Sequence, residues 1–124
     1  QVYINNGVMD LMWQQRSADV FLGLPYDITM YGLLLEMLAK GAGLKAGQLI
    51  GQLGDCHLYN NHLEQAKEYR DRPRRAMPQL ELKAGISMID FDNTCELFIP
   101  NKNNIKLNNY NPYSAIKAEL SVGK

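Results

Sequence analysis

Residues 14–27 read QQRSADVFLGLPYD and lie directly before a long apolar segment. This stretch combines an arginine, a hydroxyl, two carboxylates, a glycine and a proline within fourteen positions. A segment that only fills a hydrophobic core has no need of that mixture. Pro25 ends extended structure and favours a helix start. The stretch therefore predicts a functional segment at the junction of a strand and a helix.

The sequence around this junction predicts an α+β fold in which a mixed sheet packs against a long buried helix. Residues 2–4 and 9–17 are expected to form strands joined at Asn5-Asn6-Gly7, a hairpin signal of the Asn-Gly type. After the junction, apolar residues recur at helical spacing from Ile28 to Leu38. Because nearly all sides of that helix are apolar, we expect it to be buried. Gly41-Ala42-Gly43 is expected to end it.

The later elements are shorter and less regular. We expect a strand over 49–59, a helix over 60–70 capped by Asn60 or Asn61, strands over 78–83, 105–110 and 116–122, and a polar surface loop over 84–104. The first four residues, QVYI, already have the pattern of a strand. We therefore expect the 124 residues to be the later part of a longer protein.

Composition describes one domain or part of one. Lys plus Arg and Asp plus Glu both number 13, so the formal net charge is zero and no global field attracts DNA or an anionic membrane. The longest apolar stretch, residues 28–39, is too short and too interrupted to span a bilayer. Two cysteines, Cys56 and Cys95, are too few for a secreted disulfide framework. We expect a soluble, cytoplasmic protein in which Cys56 is buried.

Three segments resemble the thymidylate synthase superfamily. Residues 14–27 are similar to its nucleotide-binding segment, whose usual form is Gln-Arg-Ser-x-Asp-x-Phe-Leu-Gly-x-Pro-Phe-Asn. Residues 54–59, GDCHLY, resemble the family's Gly-Asp-x-His-x-Tyr. Residues 109–122 resemble the tail that closes over the folate in this family, although Tyr113 stands where histidine is common. The resemblance covers nearly the whole chain and implies the carboxyl-terminal part of a thymidylate synthase-like domain over residues 1–124.

The resemblance also implies which residues bind the nucleotide. Arg16 and Ser17 match the pair that holds the 5′-phosphate, and a guanidinium can grip a phosphate through two hydrogen bonds. His57 and Tyr59 match the residues that bind the deoxyribose 3′-hydroxyl. The predicted nucleotide-binding residues are Arg16, Ser17, Ala18, Asp19, Asp27, His57, Leu58 and Tyr59.

For the folate, the resemblance implies three contacts. Asp19 matches the aspartate that contacts the pterin ring, Gly23 shapes the turn into the helix and allows close approach to the backbone, and Ser121 lies in the tail. Asp27 and Asp55 are the predicted catalytic residues: the first stabilises charge on the pyrimidine edge and the second orients active-site water. No metal site is expected.

Two other features of the sequence are expected to play no part in the site. His62 follows the family pattern but is expected to lie on a helix face. The basic run over residues 70–75 is interleaved with acidic residues and is expected to be a solvated turn.

Asp27 occupies the position where this family commonly has asparagine. The resemblance implies that the asparagine reads uracil by donating to the 4-oxo group and accepting from the ring N–H. An ionised carboxylate only accepts, so it suits the 4-amino group of cytosine better. Aspartate here is similar to the phage-type deoxycytidylate hydroxymethylases. The simpler alternative is an ordinary helix N-cap.

The function implied is transfer of a one-carbon unit from 5,10-methylenetetrahydrofolate to carbon 5 of a pyrimidine deoxynucleotide monophosphate. Asp27 favours hydroxymethylation of dCMP, and the alternative is methylation of dUMP to dTMP. In the family, a cysteine thiolate adds to carbon 6 and makes carbon 5 nucleophilic. A third possibility is a non-catalytic half of a split protein.

The family's nucleophile lies in a Pro-Cys-His segment upstream of the strand that residue 1 begins. Neither Cys56 nor Cys95 has that context. We therefore expect this chain to be inactive by itself. Its expected partners are the nucleotide, the folate, and a second copy in a homodimer or a complementing amino-terminal half.

Overall fold

In a computed structural model that describes residues 1–83 and 105–121, the chain begins with a β-hairpin. Strand β1 (Val2–Asn5) pairs antiparallel with the longer β2 (Val8–Asp19). Asn6 and Gly7 form the turn with φ values of 49° and 77°. Two consecutive positive φ angles match the twist of the flanking strands, which is why Asn-Gly is favoured there. The predicted hairpin is confirmed.

Helix α1 (Leu24–Gly41) follows β2 and carries Pro25 in its first turn. At its other end, Gly43 has a φ of 68°, and the amide of Leu44 donates to the carbonyl of Ala39 at 2.8 Å. Glycine adopts this left-handed conformation without strain, so the helix stops there. Both predicted ends of the helix are confirmed.

Strand β3 (Lys45–His57) brings the chain back alongside β2, and the two strands are parallel. The sheet order is β1-β2-β3, with one antiparallel and one parallel pair, so the predicted mixed sheet is confirmed. Strand β3 starts four residues before the predicted position, because its ladder with β2 begins at Lys45 opposite Val8.

Helix α1 packs on one face of this sheet. Met9 and Leu11 of β2 form a buried cluster with Leu35 and Ala39 of the helix. Elsewhere on α1, Ile28, Met30 and Leu34 are 47%, 55% and 39% exposed. A second buried cluster joins Met37 of α1 to Leu82, with Leu33, Leu80 and Ile105 packed against it. The helix is therefore covered on two sides, and the burial expected around nearly all of it is wrong for the exposed residues named above.

The later elements are a 3₁₀ turn (Asn60–His62), helix α2 (Leu63–Asp71) and the antiparallel pair β4 (Gln79–Leu82) and β5 (Ile105–Asn108). The element order and the α+β class are confirmed. The predicted capping by Asn60 or Asn61 is wrong: both lie in the 3₁₀ turn, and the cap position of α2 falls on His62, without a side-chain cap.

The last predicted strand is also wrong, because residues 116–121 have no regular structure. They are held by side chains from elsewhere, as described below. The predicted loop over 84–104, Cys95 within it, and Val122 lie outside the described residues. Among the helices of residues 1–83 and 105–121, none has the length and hydropathy needed to cross a membrane.

Candidate functional site

The two segments that suggested a nucleotide site meet at one edge of the sheet. In the parallel pair, Ser17 lies opposite Asp55 and Asp19 lies opposite His57. Just beyond, the amide of Val20 donates to the carbonyl of His57 at 3.0 Å. The carboxyl ends of parallel strands lie side by side, so polar residues far apart in sequence converge there.

Gly54 allows the strands to approach closely at this edge. A Cβ atom at this position would lie only 2.6 Å from the carbonyl oxygen of Arg16. Real Cβ atoms essentially never come that close to another heavy atom. The glycine that opens the second segment is therefore required by the spacing of β2 and β3.

Strand alternation separates the members of the first segment. Ser17 and Asp19 share a face, and that face continues the one on which Leu11 and Trp13 are buried under α1. Arg16 points the other way, is exposed, and makes no hydrogen bond to another described residue. Ala18 is 0% exposed, so neither its side chain nor its backbone is accessible at the surface of this structure. The strand thus does not bring Arg16 and Ser17 together on one face.

Asp27 is linked to β2 by a residue that sequence reasoning missed. The amide nitrogen Nε2 of Gln15 donates to Asp27 Oδ2 at 2.7 Å and to the Ser17 carbonyl at 3.0 Å. The other end of Gln15, Oε1, accepts from the indole N–H of Trp13 at 3.2 Å. Asp27 lies inside the first turn of α1, whose N-cap is Gly23 without a side-chain cap. The simple N-cap alternative for Asp27 is therefore wrong. The glutamine that opens the family's usual form was the signal for Gln15.

Asp19 organises the turn between β2 and α1. Its Oδ1 accepts from the amides of Phe21 and Leu22 at 3.0 and 3.3 Å. The amide of Gly23 donates to the Asp19 carbonyl at 3.2 Å, and a Cβ on Gly23 would lie 3.3 Å from that oxygen. Because glycine has no Cβ, Gly23 avoids this close contact and allows the tight turn. Asp19 Oδ2 makes no hydrogen bond within the described residues, which leaves it available to a ligand.

On β3, the polar residues of the second segment stand at a more open edge. His57 Nδ1 lies 3.5 Å from Asp55 Oδ2, but the Asp55 side chain is 73% exposed, so solvent screens this pair. The rings of His57 and Tyr59 meet edge to face with centroids 4.8 Å apart. Leu58 between them is partly buried. The expectation that Cys56 is buried is wrong: it is exposed, because β3 is an edge strand of the described sheet.

The carboxyl-terminal tail (residues 109–121) lies against the 3₁₀ turn and the basic run. Arg72 donates to the Ser114 carbonyl at 2.7 Å, and Arg75 donates to the carbonyls of Asn111 and Pro112 at 2.8 and 3.0 Å. The Arg75 guanidinium also lies 3.7 Å from the ring centroid of Tyr113, a cation–π contact. The basic run is largely exposed, as expected for a solvated turn, but Arg72 and Arg75 also hold the tail.

Two other contacts hold the end of the tail. Ser121 Oγ donates to Asn61 Oδ1 at 2.6 Å. His62, expected on a helix face, is completely buried and contacts the Glu119 carbonyl. The sequence offered no signal for this burial, since the environment of His62 is formed by residues distant in the chain.

A cleft of about 740 Å³ lies between the β2–α1 turn and the tail. Its lining includes Leu22, Pro25 and Tyr26 on one side and Tyr110 and Tyr113 on the other. Ser17, Asp55 and His57 are not part of it, so this cleft borders the sheet-edge site without containing it. In the part of the chain that the structure describes, no three or more His, Cys, Asp or Glu side chains are placed to hold a metal ion.

Fold and site together define a mixed-sheet α+β protein with a polar edge formed by the ends of two parallel strands and the start of the next helix. A sequence model of the family described as "Thymidylate synthase" matches residues 1–122, and the chain belongs to that family.

Curated relatives agree with this assignment. A thymidylate synthase of Corynebacterium aurimucosum is 40% identical over 122 residues, which are 98% of this chain and 42% of the relative. A thymidylate synthase of Listeria innocua is 42% identical over 122 residues, and one of Listeria monocytogenes is 42% identical over 123 residues; each alignment covers 98% of this chain and 36% of the relative. The chain thus spans 36–42% of the length of these relatives.

Proposed function

We propose that this chain forms the nucleotide- and folate-binding part of an enzyme that transfers a one-carbon unit to carbon 5 of a pyrimidine deoxynucleotide monophosphate. The observation that supports this most is the meeting of Ser17 and Asp19 with Asp55 and His57 at one sheet edge. These residues come from the two segments that resemble the family's nucleotide-binding motifs. Membership of the family supports 5,10-methylenetetrahydrofolate as the one-carbon donor.

Methylation of dUMP is the better supported reaction. The three relatives described above, at 40–42% identity, are all named thymidylate synthase. This reverses the order expected from Asp27 alone, which placed hydroxymethylation of dCMP first.

Hydroxymethylation of dCMP is the second candidate, because of the state of the Asp27 carboxylate. Gln15 engages Oδ2, and Oδ1 makes no hydrogen bond within the described residues. One acceptor oxygen is thus available to a base. It suits the 4-amino group of cytosine, whereas opposite uracil it accepts the ring N–H but leaves the 4-oxo group without a donor from this residue.

In the proposed reaction, the side chains at the sheet edge bind and orient the nucleotide. Arg16 and Ser17, which β2 places on opposite faces, stay the phosphate-binding pair on the family resemblance alone. The packed rings of His57 and Tyr59 present their polar atoms to the sugar. Asp27, restrained by Gln15, stabilises charge at the pyrimidine edge. Asp55 is exposed and orients water.

The folate is proposed to lie beside the β2–α1 turn. The arrangement of Asp19 fits this ligand: Oδ1 holds the turn, and Oδ2 remains to accept from a pterin N–H. Gly23 and Ser121 border the same region. When bound, methylenetetrahydrofolate supplies the one-carbon unit. The attacking thiolate and the partner copy or complementing half stay predictions from the family resemblance.

The test uses the full-length protein that contains this chain. It is incubated with labelled methylenetetrahydrofolate and either dUMP or dCMP, and product mass distinguishes methyl from hydroxymethyl. We expect dTMP from dUMP, and we expect Asp27→Asn to raise the preference for dUMP by about 5- to 100-fold, the range of one base-reading hydrogen-bond pair. Glu36→Gln, an exposed carboxylate farther along the same helix, is the matched control.

The outcomes separate the candidates. Preferential conversion of dCMP, reversed by Asp27→Asn, would establish the second candidate instead. If neither nucleotide is converted and neither binds in calorimetry, the enzymatic proposal is wrong and a non-catalytic role is favoured.

A further inference from the structure

His62 is a buried polar side chain to which the proposed function assigns no role. It is 0% exposed and is the largest fully buried side chain among the described residues. Its ring lies between two aromatic neighbours, with centroid distances of 5.4 Å to Phe21 and 5.9 Å to Tyr59. Tyr59 in turn contacts His57. His62 therefore lies directly beside the strand end that carries the proposed sugar-binding pair.

Among the described residues, the imidazole has one hydrogen-bond partner, and that partner belongs to the tail. His62 Nε2 lies 2.7 Å from the carbonyl oxygen of Glu119. A carbonyl only accepts, so Nε2 carries the proton and donates. The other nitrogen, Nδ1, is buried without a hydrogen-bond partner in the described part of the chain. The hydrogen bond to Glu119 is thus the one polar contact that this buried ring makes within the described residues.

The final residues of the tail have few other anchors. They form no strand or helix, and Leu120 is 81% exposed. Arg72 and Arg75 hold the tail only as far as Ser114. Beyond that point, the hydrogen bonds that tie the tail to other described residues are the one that His62 donates to the Glu119 carbonyl and the one that Ser121 donates to Asn61. His62 is fully buried and its bond to Glu119 is partly buried, whereas the bond of Ser121 is exposed, so the His62 contact is the better protected from competing water.

We infer that His62 is a positioning residue that fixes the tail over the site. Its Nε2–H holds the carbonyl of Glu119 and thereby places Ser121 beside the strand end of His57 and Tyr59. This inference rests on the proposed function in one respect, because Ser121 is proposed to border the folate. The His62 imidazole thus contacts both Tyr59, at the strand end proposed to bind the nucleotide, and the tail proposed to border the folate.

A space-filling role for the ring predicts different behaviour. In that case the aromatic contacts with Phe21 and Tyr59 matter, and phenylalanine replaces histidine without effect on the tail. If the donated hydrogen bond matters, His62→Phe frees the tail although it keeps an aromatic ring. His62→Gln, which has an amide donor but no ring, then restores the tail. This pair of variants separates packing from hydrogen bonding.

The first experiment measures limited trypsin cleavage after Lys117, an exposed residue of the tail, in the full-length protein without substrates. We expect His62→Phe to be cleaved there about 5- to 10-fold faster, the ratio for loss of one hydrogen bond, because cleavage requires local opening of the tail. We expect His62→Gln to be within about twofold of wild type, a margin below the effect of that bond. Glu64→Gln, exposed on α2, is the control. A wild-type cleavage rate in His62→Phe would overturn the inference.

The second experiment measures steady-state kinetics of the same variants. His62→Phe is expected to raise KM for the folate by about 5- to 10-fold, again the ratio for one hydrogen bond, and to leave KM for the nucleotide nearly unchanged. A purely structural defect would raise both, which would overturn the inference. If wild type itself shows no turnover, the proposed function fails, while the cleavage experiment still decides whether His62 holds the tail.

A measurement on wild type covers the case in which His62→Phe does not fold. In ¹⁵N NMR spectra, His62 should show a proton on Nε2, and that proton should exchange slowly because the ring is buried and the proton is bonded. A proton on Nδ1, or rapid exchange of the imidazole proton, would overturn the inference.

Discussion

Replacing Gly54 with alanine is expected to push β3 away from β2 at the site. The added Cβ would lie 2.6 Å from the Arg16 carbonyl oxygen and 3.3 Å from its carbonyl carbon. Ordinary contact begins at 3.4 Å, and real Cβ atoms essentially never come within 3.0 Å, so the strands must separate by about 0.4–0.8 Å. Both obstructing atoms are backbone atoms within the ladder, so no side-chain rotation relieves the clash.

The size of the effect follows from this displacement. Overpacking of this kind costs about 1–3 kcal/mol, and we expect the free energy of unfolding to fall by that amount. The displaced ladder is the one that aligns Ser17 with Asp55 and Asp19 with His57. Because a misplacement of about 1 Å can reduce a rate about 100-fold, kcat/KM is expected to fall about 10- to 100-fold.

Gly32 provides a matched control within the same chain. It lies in α1, and a Cβ there would meet only a methyl group of Leu49 at 3.8 Å, an ordinary contact. Alanine is a better helix former than glycine, so Gly32→Ala is expected to raise the free energy of unfolding by about 0.5–1 kcal/mol. The same chemical change is thus predicted to have opposite signs at the two positions.

Urea denaturation and nucleotide titration by calorimetry of the full-length protein test this reasoning. If Gly54→Ala unfolds at the same urea concentration as wild type and binds the nucleotide equally well, then close approach of the strands is not what requires glycine. If Gly32→Ala is destabilised as much as Gly54→Ala, the added methyl group acts through something other than the β2–β3 spacing.

Three further predictions concern the turn, the tail and the β4–β5 pair. Asp19→Ala is expected to lower the free energy of unfolding by about 1–2 kcal/mol, because two amides lose their acceptor. Asp19→Asn keeps that acceptor and is expected to affect folate affinity, measured by titration, more than stability. Arg75→Met is expected to speed proteolysis of the tail, because it removes the hydrogen bonds to Asn111 and Pro112 and the contact with the Tyr113 ring. The control is Arg74→Met, which is expected to leave the digestion rate unchanged because Arg74 makes no hydrogen bond to another described residue. The hydrogen bond from Asn108 lowers the pKa of Glu81 below its ordinary value of 4.5. Its stabilising contribution is therefore present above pH 4.5 and is lost as pH falls through the lowered pKa. Acid unfolding monitored by circular dichroism should show a shallower pH dependence in Glu81→Gln; an identical curve would contradict this role.

Much of the site was visible in the sequence because the family's motifs are local. The segments containing Ser17 and Asp19, and Asp55 and His57, were identified from short patterns whose spacing along a strand already places alternate residues on one face. Sequence reasoning did not find Gln15 as the partner of Asp27. That contact joins a strand to the following helix, and it depends on how the helix packs.

Exposure was predicted less well than element type. Cys56 was expected to be buried and is exposed, because its strand lies at the edge of the described sheet. His62 was expected on a helix face and is completely buried, because the tail and the β2–α1 turn cover it. Both errors have one origin: burial depends on which distant segments pack on a residue.

Short-range preferences were enough to predict the Asn6-Gly7 turn, the start of α1 next to Pro25 and its end just before Gly43. Each of these reflects the backbone conformations open to a few adjacent residues. The parallel alignment of Ser17 with Asp55 and the hold of His62 on the tail arise from packing between remote segments. No local preference encodes those distances. They exist only once α1 has crossed the sheet and the tail has returned to the strand end.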